Sequence, residues 1–164
     1  MNRQHRRLVE RIQESGKELS DYVSRLSEDE IRREPGDGEW SIHAILAHLR
    51  DVEEQVFLKR TQRILSEKEP PQVEDFDQEA WNNEHYSPKE STKKILGEWR
   101  KARRNFLALL GKTADKEWIH YAIHPYYGKI SLDWLATHDY SHTLDHLHQL
   151  LQQRESEILK QLNG

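Results

Sequence analysis

The stretch "HDYSHTLDHLHQL", residues 138–150, places four histidines within eleven consecutive positions. The whole chain has 164 residues and ten histidines, so an average stretch of this length would hold fewer than one. His138, His142 and His146 follow one another at intervals of four residues, which advance by about 400° around an α-helix and keep the side chains on one face. The spacing predicts a helix with a histidine face. Whether these histidines bind a metal, handle protons or cover a solvated surface depends on the rest of the chain.

The helix that carries these histidines extends in both directions. Ser131 has the chemistry of an N-cap, and Asp133 falls in the first turn, where a negative charge is favourable. The helical pattern continues to about Leu162. His148 lies about 120° from His142 on this helix, so its side chain is predicted to face away from the others.

The side of the last helix opposite His142 is also apolar. A helix that is apolar on two sides is buried on two sides. The sequence therefore predicts a homodimer contact on this side, or its coverage by a loop of the same chain. The side chains concerned are Tyr140, Leu144, Leu147 and Leu151.

A second helix supplies another histidine in an apolar environment. "SIHAILAHLRDVEEQVFLKRTQRIL", residues 41–65, begins with Ser41 as its N-cap. His48 lies in the middle of its apolar stripe, whereas His43 lies about 140° away and is predicted to face solvent. A metal needs more ligands than one helix face supplies, and His48 is the natural third. Three neutral imidazoles suit Zn²⁺, Ni²⁺ or Fe²⁺ better than Mg²⁺ or Ca²⁺, and three protein ligands leave a coordination position for water or substrate.

Two further amphipathic helices complete the pattern. One covers "HRRLVERIQESGKELSDYVSRL", residues 5–26, before the "PGDG" break at residues 35–38. The other opens with "SPKE", residues 87–90, which has the form of an N-cap followed by a capping box, and it ends near Gly111. Four long helices predict an all-α four-helix bundle that forms a single domain over residues 1–164.

The connections between the helices carry the remaining structural signals. Residues 66–86, between the second and third helices, contain Pro70, Pro71 and many acids, and they predict a long loop with a short helix around "DFDQEAWNN". "DKEWIHYAIHPYYGKI", residues 115–130, predicts a loop or a small hairpin before the last helix.

Three stretches of the chain resemble the DinB-like (YfiT-like) four-helix-bundle family: "GEWSIHAILAHLRDVEE", "SPKESTKKILGEWRKARRNFLALL" and "SLDWLATHDYSHTLDHLHQLL". Members of this family look like W-S-x(n)-A-H-L-x-D-x-E on the second helix and H-x-x-x-H-x-x-Q-[IL] on the last. The last-helix pattern fits "HTLDHLHQL" here. The resemblance therefore implies a divalent transition metal (Zn, Ni or Fe) held by His48, His142 and His146.

The last helix also allows a second register. "HDYSH" resembles the family's H-D-x-x-H variant, which would select His138 and His142 instead. Gln149 follows His146 by three residues, as the first pattern requires, and it therefore favours that pattern. In that register His138 and Gln149 belong to the surroundings of the site.

Acidic residues follow His48 in the family pattern. Asp51 and Glu53 match these positions. Asp51 lies about 60° from His48 on the helix and could orient its imidazole, as carboxylates next to metal ligands do. The alternative is that Asp51 is an ordinary surface acid.

The resemblance implies one of two reactions on a small-molecule substrate. The first is metal-dependent hydrolysis, in which a metal-bound water is the nucleophile. The second is transfer of a low-molecular-weight thiol to an electrophile, in which the bound thiolate is the nucleophile. Because the chain has no cysteine, that thiol must come from a cosubstrate. The alternative from another class is a non-catalytic metal-binding or small-ligand-binding stress protein.

The composition limits the remaining function classes. The mean hydropathy is −1.00, which is typical of a hydrophilic chain. The net charge is −4, so no overall positive field attracts nucleic acid. The densest basic run, "WRKARR" at residues 99–104, is predicted to be a solvated helix face. No apolar run is long enough to span a membrane, and the N-terminal sequence does not have the form of a secretory signal. The expected location is therefore the cytoplasm.

Overall fold

Four long helical segments form a bundle in the part of the chain that the computed structural model describes, residues 1–36 and 38–163. The second segment is one continuous helix in which a π-helical turn, Glu53–Leu58, joins two α-helices, and we call it the His48 rod. The helices are α1 (Arg3–Val23), α2 (Glu28–Arg32), α3 (Ile42–Val52), α4 (Lys59–Ser66), α5 (Gln78–His85), α6 (Thr92–Lys112) and α7 (Leu132–Asn163). The bundle consists of α1, the His48 rod (α3, the π turn and α4), α6 and α7, so the predicted fold is confirmed.

A β-hairpin precedes α7, as one of the two sequence alternatives predicted. Its strands, β1 (Tyr121–His124) and β2 (Gly128–Ser131), pair antiparallel. The backbone of Ile123 also pairs with the segment between α4 and α5: its N–H donates to the carbonyl of Pro71 at 2.8 Å, and its carbonyl accepts from Val73 at 2.9 Å. The hairpin and that segment therefore close one end of the bundle together.

Polar side chains begin several of the helices as the sequence predicts. Oγ of Ser41 accepts from the backbone N–H of Ala44 at 3.2 Å at the start of α3. Oγ of Ser131 accepts from the backbone N–H of Trp134 at 3.1 Å at the start of α7. Both bonds satisfy a backbone donor that has no partner within the helix.

The predicted start of the third long helix is wrong. α6 begins at Thr92 after the N-cap position Ser91, and residues 87–90 form a turn before it. The Glu90 carboxylate does not close a capping box, because it pairs with Arg50 at 2.8 Å and Lys94 at 2.7 Å. Charged partners compete successfully with a backbone N–H for a carboxylate.

The turn before α6 also buries His43, which the sequence placed on the surface. His43 donates its Nε2–H to the carbonyl of Glu90 and accepts on Nδ1 from the hydroxyl of Tyr86, both at 3.0 Å. Its exposed fraction is 1%. The angular position of His43 on its own helix was correct, but the chain around residues 86–90 folds over that face.

The break between α2 and α3 contains two glycines with positive φ. Gly36 has φ of 98° and Gly38 has φ of 76°, conformations that L side chains rarely adopt. Asp37, which lies between these two glycines in the predicted "PGDG" break, is outside the described residues.

The core runs along α6, which lies between α1 and the His48 rod. Trp99 and Phe106 of α6 are both fully buried. They belong to two apolar clusters, one toward the hairpin and one toward α2. The first includes Ile12, Phe57, Phe106, Trp118 and Leu135, and the second includes Leu19, Ile45, Leu49, Trp99 and Leu150.

The second apolar side of α7 is only partly covered in the monomer. Leu147 is buried, whereas Leu144 and Leu151 are 36% and 46% exposed. The homodimer contact on this side stays a prediction. Within residues 1–36 and 38–163, no helix has both the length and the apolar character needed to cross a membrane.

Gly16 in the middle of α1 provides a test of how α1 packs on α6. A Cβ added there would meet Trp99 at 3.7 Å and Arg103 at 3.9 Å, which are ordinary van der Waals contacts. Alanine is favoured over glycine inside a helix by about 1 kcal/mol. Gly16→Ala should therefore raise the free energy of unfolding in urea by about 1 kcal/mol. Gly97→Ala in α6, where an added Cβ meets nothing within 4 Å, is the control. A loss for the Gly16 variant alone would mean that the helices pack more closely than described.

Candidate metal centre

The Nε2 atoms of three histidines meet between the His48 rod and α7. Nε2 of His142 lies 3.1 Å from Nε2 of His48 and 3.2 Å from Nε2 of His146. All three residues offer a ring nitrogen within 4.8 Å of the other two, and His138 is not part of this group among the described residues. The structure therefore brings together the histidines of the register that Gln149 favoured.

Gln149 orients the imidazole of His146. Nδ1 of His146 donates a hydrogen bond to Oε1 of Gln149 at 3.0 Å. Because an amide oxygen only accepts, the proton of this imidazole is on Nδ1 and the lone pair of Nε2 faces the other two histidines. Gln149 thus lies beside the histidine group, where the sequence placed it.

Burial keeps the three imidazoles neutral. It lowers the pKa of His48 to about 3, with a smaller contribution from nearby His146. Burial and the neighbouring His146 and His48 lower the pKa of His142 to about 2. Burial also lowers the pKa of His146, although the hydrogen bond with Gln149 opposes this change. At neutral pH all three residues are therefore in the protonation state that metal ligation requires.

Aromatic rings surround the histidine group on two sides. The ring of Trp40 meets that of His48 edge-on at 5.4 Å between centroids, and the ring of Phe57 lies 5.9 Å from that of His142. His138 stacks on Trp134 at 4.7 Å, and its centroid is 6.5 Å from that of His142. His138 therefore lies next to the group and remains accessible to solvent.

Asp51, which was predicted to orient the imidazole of His48, pairs with an arginine instead. Its Oδ1 accepts from Nε of Arg50 at 2.7 Å, and the same guanidinium reaches Glu90 and Glu98. Within residues 1–36 and 38–163, no hydrogen bond joins Asp51 to His48. A guanidinium is a stronger partner for a carboxylate than a neutral imidazole is, so the neighbouring arginine takes the carboxylate.

A buried ion cluster beside the histidines was not predicted. Arg103 of α6 lies 2.6 Å from Oε2 of Glu53, and it donates to Oδ2 of Asp139 and Oγ1 of Thr143, both at 2.9 Å. Its exposed fraction is 5%, so the prediction that "WRKARR" is wholly a solvated face is wrong at this position. Arg100, Lys101 and Arg104 of the same run are exposed.

The charge of this cluster depends on its two buried carboxyl groups. Burial raises the pKa of Glu53 well above its usual range, Arg103 opposes this rise, and the neighbouring Asp139 adds to it. Burial also raises the pKa of Asp139, again against the charge of Arg103. One proton held by the pair would remove the excess negative charge that two buried carboxylates would leave beside a single arginine.

A weak signal for this cluster was present in the sequence. Asp139 lies within the opening stretch, three residues before His142, and Glu53 is an acid on a helix with an apolar stripe. Neither position identifies its partner, because Arg103 is one of several basic residues in a dense run. Only the packing of α6 selects it.

The fold and the histidine group together define a class of protein: a four-helix bundle with three converging imidazoles between two of its helices. The model of the DinB superfamily matches residues 11–150, most of the chain. The protein therefore belongs to the DinB superfamily, as the sequence motifs indicated. No curated protein matches the sequence significantly.

Comparison with solved structures gives the same fold. YfiT from Bacillus subtilis, described as a probable metal-dependent hydrolase with an unusual four-helix bundle topology, matches with a TM-score of 0.78. The match covers 94% of this chain and 90% of that chain, at 19% sequence identity. At this identity the likeness demonstrates the common fold.

The buried neutral histidines predict a characteristic loss of stability in mild acid. Histidines of the unfolded chain protonate near pH 6.5, whereas His48 and His142 stay neutral in the folded protein down to about pH 3 and 2. Below pH 6.5 the unfolded state binds more protons than the folded state, so the free energy of unfolding decreases as the pH is lowered. The decrease approaches about 1.4 kcal/mol per pH unit for each such histidine.

Urea unfolding of the metal-free protein between pH 7 and pH 5 measures this slope. His142→Gln should make the slope shallower and reduce the loss of stability between pH 7 and pH 5 by about 2 kcal/mol. The exposed His148→Gln is the matched control and should keep the parent slope. Equal slopes for the His142 variant and the parent protein would contradict the assignment of His142 as a neutral buried base.

Proposed function

We propose that His48, His142 and His146 bind one divalent transition-metal ion and that the protein is a metal-dependent enzyme acting on a small molecule. The observation that carries this proposal is the convergence of three neutral Nε2 atoms, with two separations of 3.1 and 3.2 Å. Two nitrogens bound to one Zn²⁺ in tetrahedral geometry are about 3.3–3.4 Å apart, given Zn–N bonds of about 2.0–2.1 Å. The two separations from His142 are close to this value, and the third pair of ring nitrogens lies within 4.8 Å, so the three residues present are suited to hold such an ion.

The chemistry of the donors supports the same class of metal. Imidazole nitrogens suit Zn²⁺, Ni²⁺ and Fe²⁺, and Gln149 holds His146 in the tautomer whose Nε2 is free. Three protein ligands leave room in the coordination sphere for a further molecule. The similarity in fold to a protein described as a probable metal-dependent hydrolase also supports the proposal.

Hydrolysis is the first candidate reaction. A metal at this position would act as a Lewis acid and lower the pKa of a bound water or thiol. Trp40 and Phe57 limit the access of bulk water to two sides of the site. Partial burial lowers the pKa of His138, so this imidazole is neutral at pH 7 and would be able to accept a proton next to the histidine group, where its ring centroid lies 6.5 Å from that of His142.

Thiol transfer is the second candidate, and the donor set favours it. Three neutral ligands leave the full charge of a divalent ion uncompensated, and such a charge stabilises an anionic thiolate. In the described parts of the chain, the ring nitrogens of the three imidazoles approach one another and Gln149, and no carboxylate is hydrogen-bonded to them. Because the chain has no cysteine, the thiol is a separate small molecule.

Metal content tests the site. Protein purified without a histidine tag should contain about one transition-metal ion per chain by elemental analysis, and His48→Ala, His142→Ala and His146→Ala should each lose most of it. The control is His148→Ala, which makes the same substitution on the exposed side of α7, and this variant should retain the metal. Full metal content in the His142 and His146 variants would contradict the assignment.

Activity assays test the class of reaction. We expect the metal-loaded protein to cleave ester or amide substrates, or to join a small thiol to a chromogenic electrophile, and to lose that activity when His142 is replaced by alanine. His138→Gln should lower the rate by about 10²-fold or more with little change in metal content, since a general base contributes that much. A metal-loaded protein that is inactive in both screens would favour the non-catalytic alternative.

A further inference from the structure

The guanidinium of Arg103 joins the elements that carry the three histidines. It reaches from α6 to Glu53 at the start of the π turn at 2.6 Å, and to Asp139 and Thr143 of α7 at 2.9 Å each. It also donates to the carbonyl of Ile12 in α1 at 3.4 Å. One planar group therefore contacts every long helix of the bundle.

These contacts are close in sequence to the histidines. Glu53 follows His48 by five residues on the same continuous helix. Asp139 lies three residues before His142, and Thr143 follows it directly. Since a helix transmits the position of one residue to those a turn away, the place of Arg103 constrains how far the His48 rod stands from α7.

Stability alone does not account for this cluster. Removing charges from water is costly, and well-packed apolar side chains of similar volume are often at least as stabilising as a buried ion pair or triad. A guanidinium instead provides several donors in a rigid, planar arrangement. Such a group fixes distances between its partners, whereas an apolar contact allows the helices to slide.

We propose that Arg103 is a positioning residue: through Glu53, Asp139 and Thr143 it sets the separation of the His48 rod and α7 at which the three Nε2 atoms converge. The proposal rests on the proposed function only in taking metal binding as the purpose of that convergence. The spacing itself is a property of the metal-free protein.

Arg103→Lys is the decisive variant, because it keeps the charge and removes the planar set of donors. Its helical circular dichroism should match that of the parent protein. We expect its dissociation constant for Zn²⁺ to rise about 10–100-fold, the usual effect of losing a group that supports the ligands. The visible absorption of bound Co²⁺, which reports coordination geometry, should also change.

Arg60→Lys is the matched control. Arg60 of α4 is also buried, with 8% exposure, but its guanidinium donates to the carbonyl of Glu74 and does not connect the rod to α7. Its Zn²⁺ affinity and Co²⁺ spectrum should stay within about twofold of the parent values. An Arg103→Lys protein with the parent affinity and the parent Co²⁺ spectrum would overturn the proposal.

A measurement without metal separates this proposal from the proposed function. The chain has no cysteine, so spin labels attach only at the introduced Lys59→Cys and His148→Cys, one on the rod and one on α7. In the metal-free protein, Arg103→Lys should broaden or shift the distance distribution between the labels. An unchanged distribution overturns the positioning role. Failure of the parent protein to bind metal overturns the proposed function instead.

A neutral variant covers the case in which Arg103→Lys does not fold. The combined Glu53→Gln, Arg103→Met and Asp139→Asn protein leaves no uncompensated charge in the core. If it folds and binds Zn²⁺ as tightly as the parent protein, the positioning role is excluded. A folded protein with the 10–100-fold weaker binding supports it.

Discussion

The burial of one guanidinium organises the centre of this bundle. Arg103 can be buried only because Glu53 of the π turn and Asp139 and Thr143 of α7 surround it. Its guanidinium also lies over the ring of Trp99, with 5.3 Å between the guanidinium carbon and the ring centroid. The π turn, α6 and α7 must therefore pack so that these side chains meet in the core, because an unpaired buried charge would be strongly destabilising.

Burial also determines the protonation state of the histidines. Burial, which is nearly complete for His48 and partial for His142, disfavours the protonation of both residues, and the neighbouring His146 further disfavours it. Three neutral imidazoles whose Nε2 atoms converge in a region of low polarity have the chemistry of ligands for a divalent metal, on which the proposed function rests. The surrounding aromatic rings of Trp40 and Phe57 supply that low polarity, and Gln149 supplies the one hydrogen bond that selects a tautomer.

Local sequence patterns predicted the features that depend on helical geometry alone. The four-residue spacing put His142 and His146 on one face, the apolar stripe singled out His48, and Gln149 chose the register. Patterns failed where a distant segment intervened. His43 was assigned to the surface because the turn at residues 86–90 could not be foreseen. Phe57 lies nine residues after His48, on the opposite side of a regular α-helix, yet the π turn, which advances less per residue, directs its ring toward His142.

The sequence by itself predicted the class of fold and the family to which the chain belongs, and it favoured His48, His142 and His146 over the register that uses His138. These follow from periodicity, capping residues and short motifs, each of which is read within about ten residues. The tertiary structure decided which arginine is buried and which carboxyl groups face it. That outcome depends on which charged side chains meet when different helices pack together, and the order of residues along the chain does not specify it.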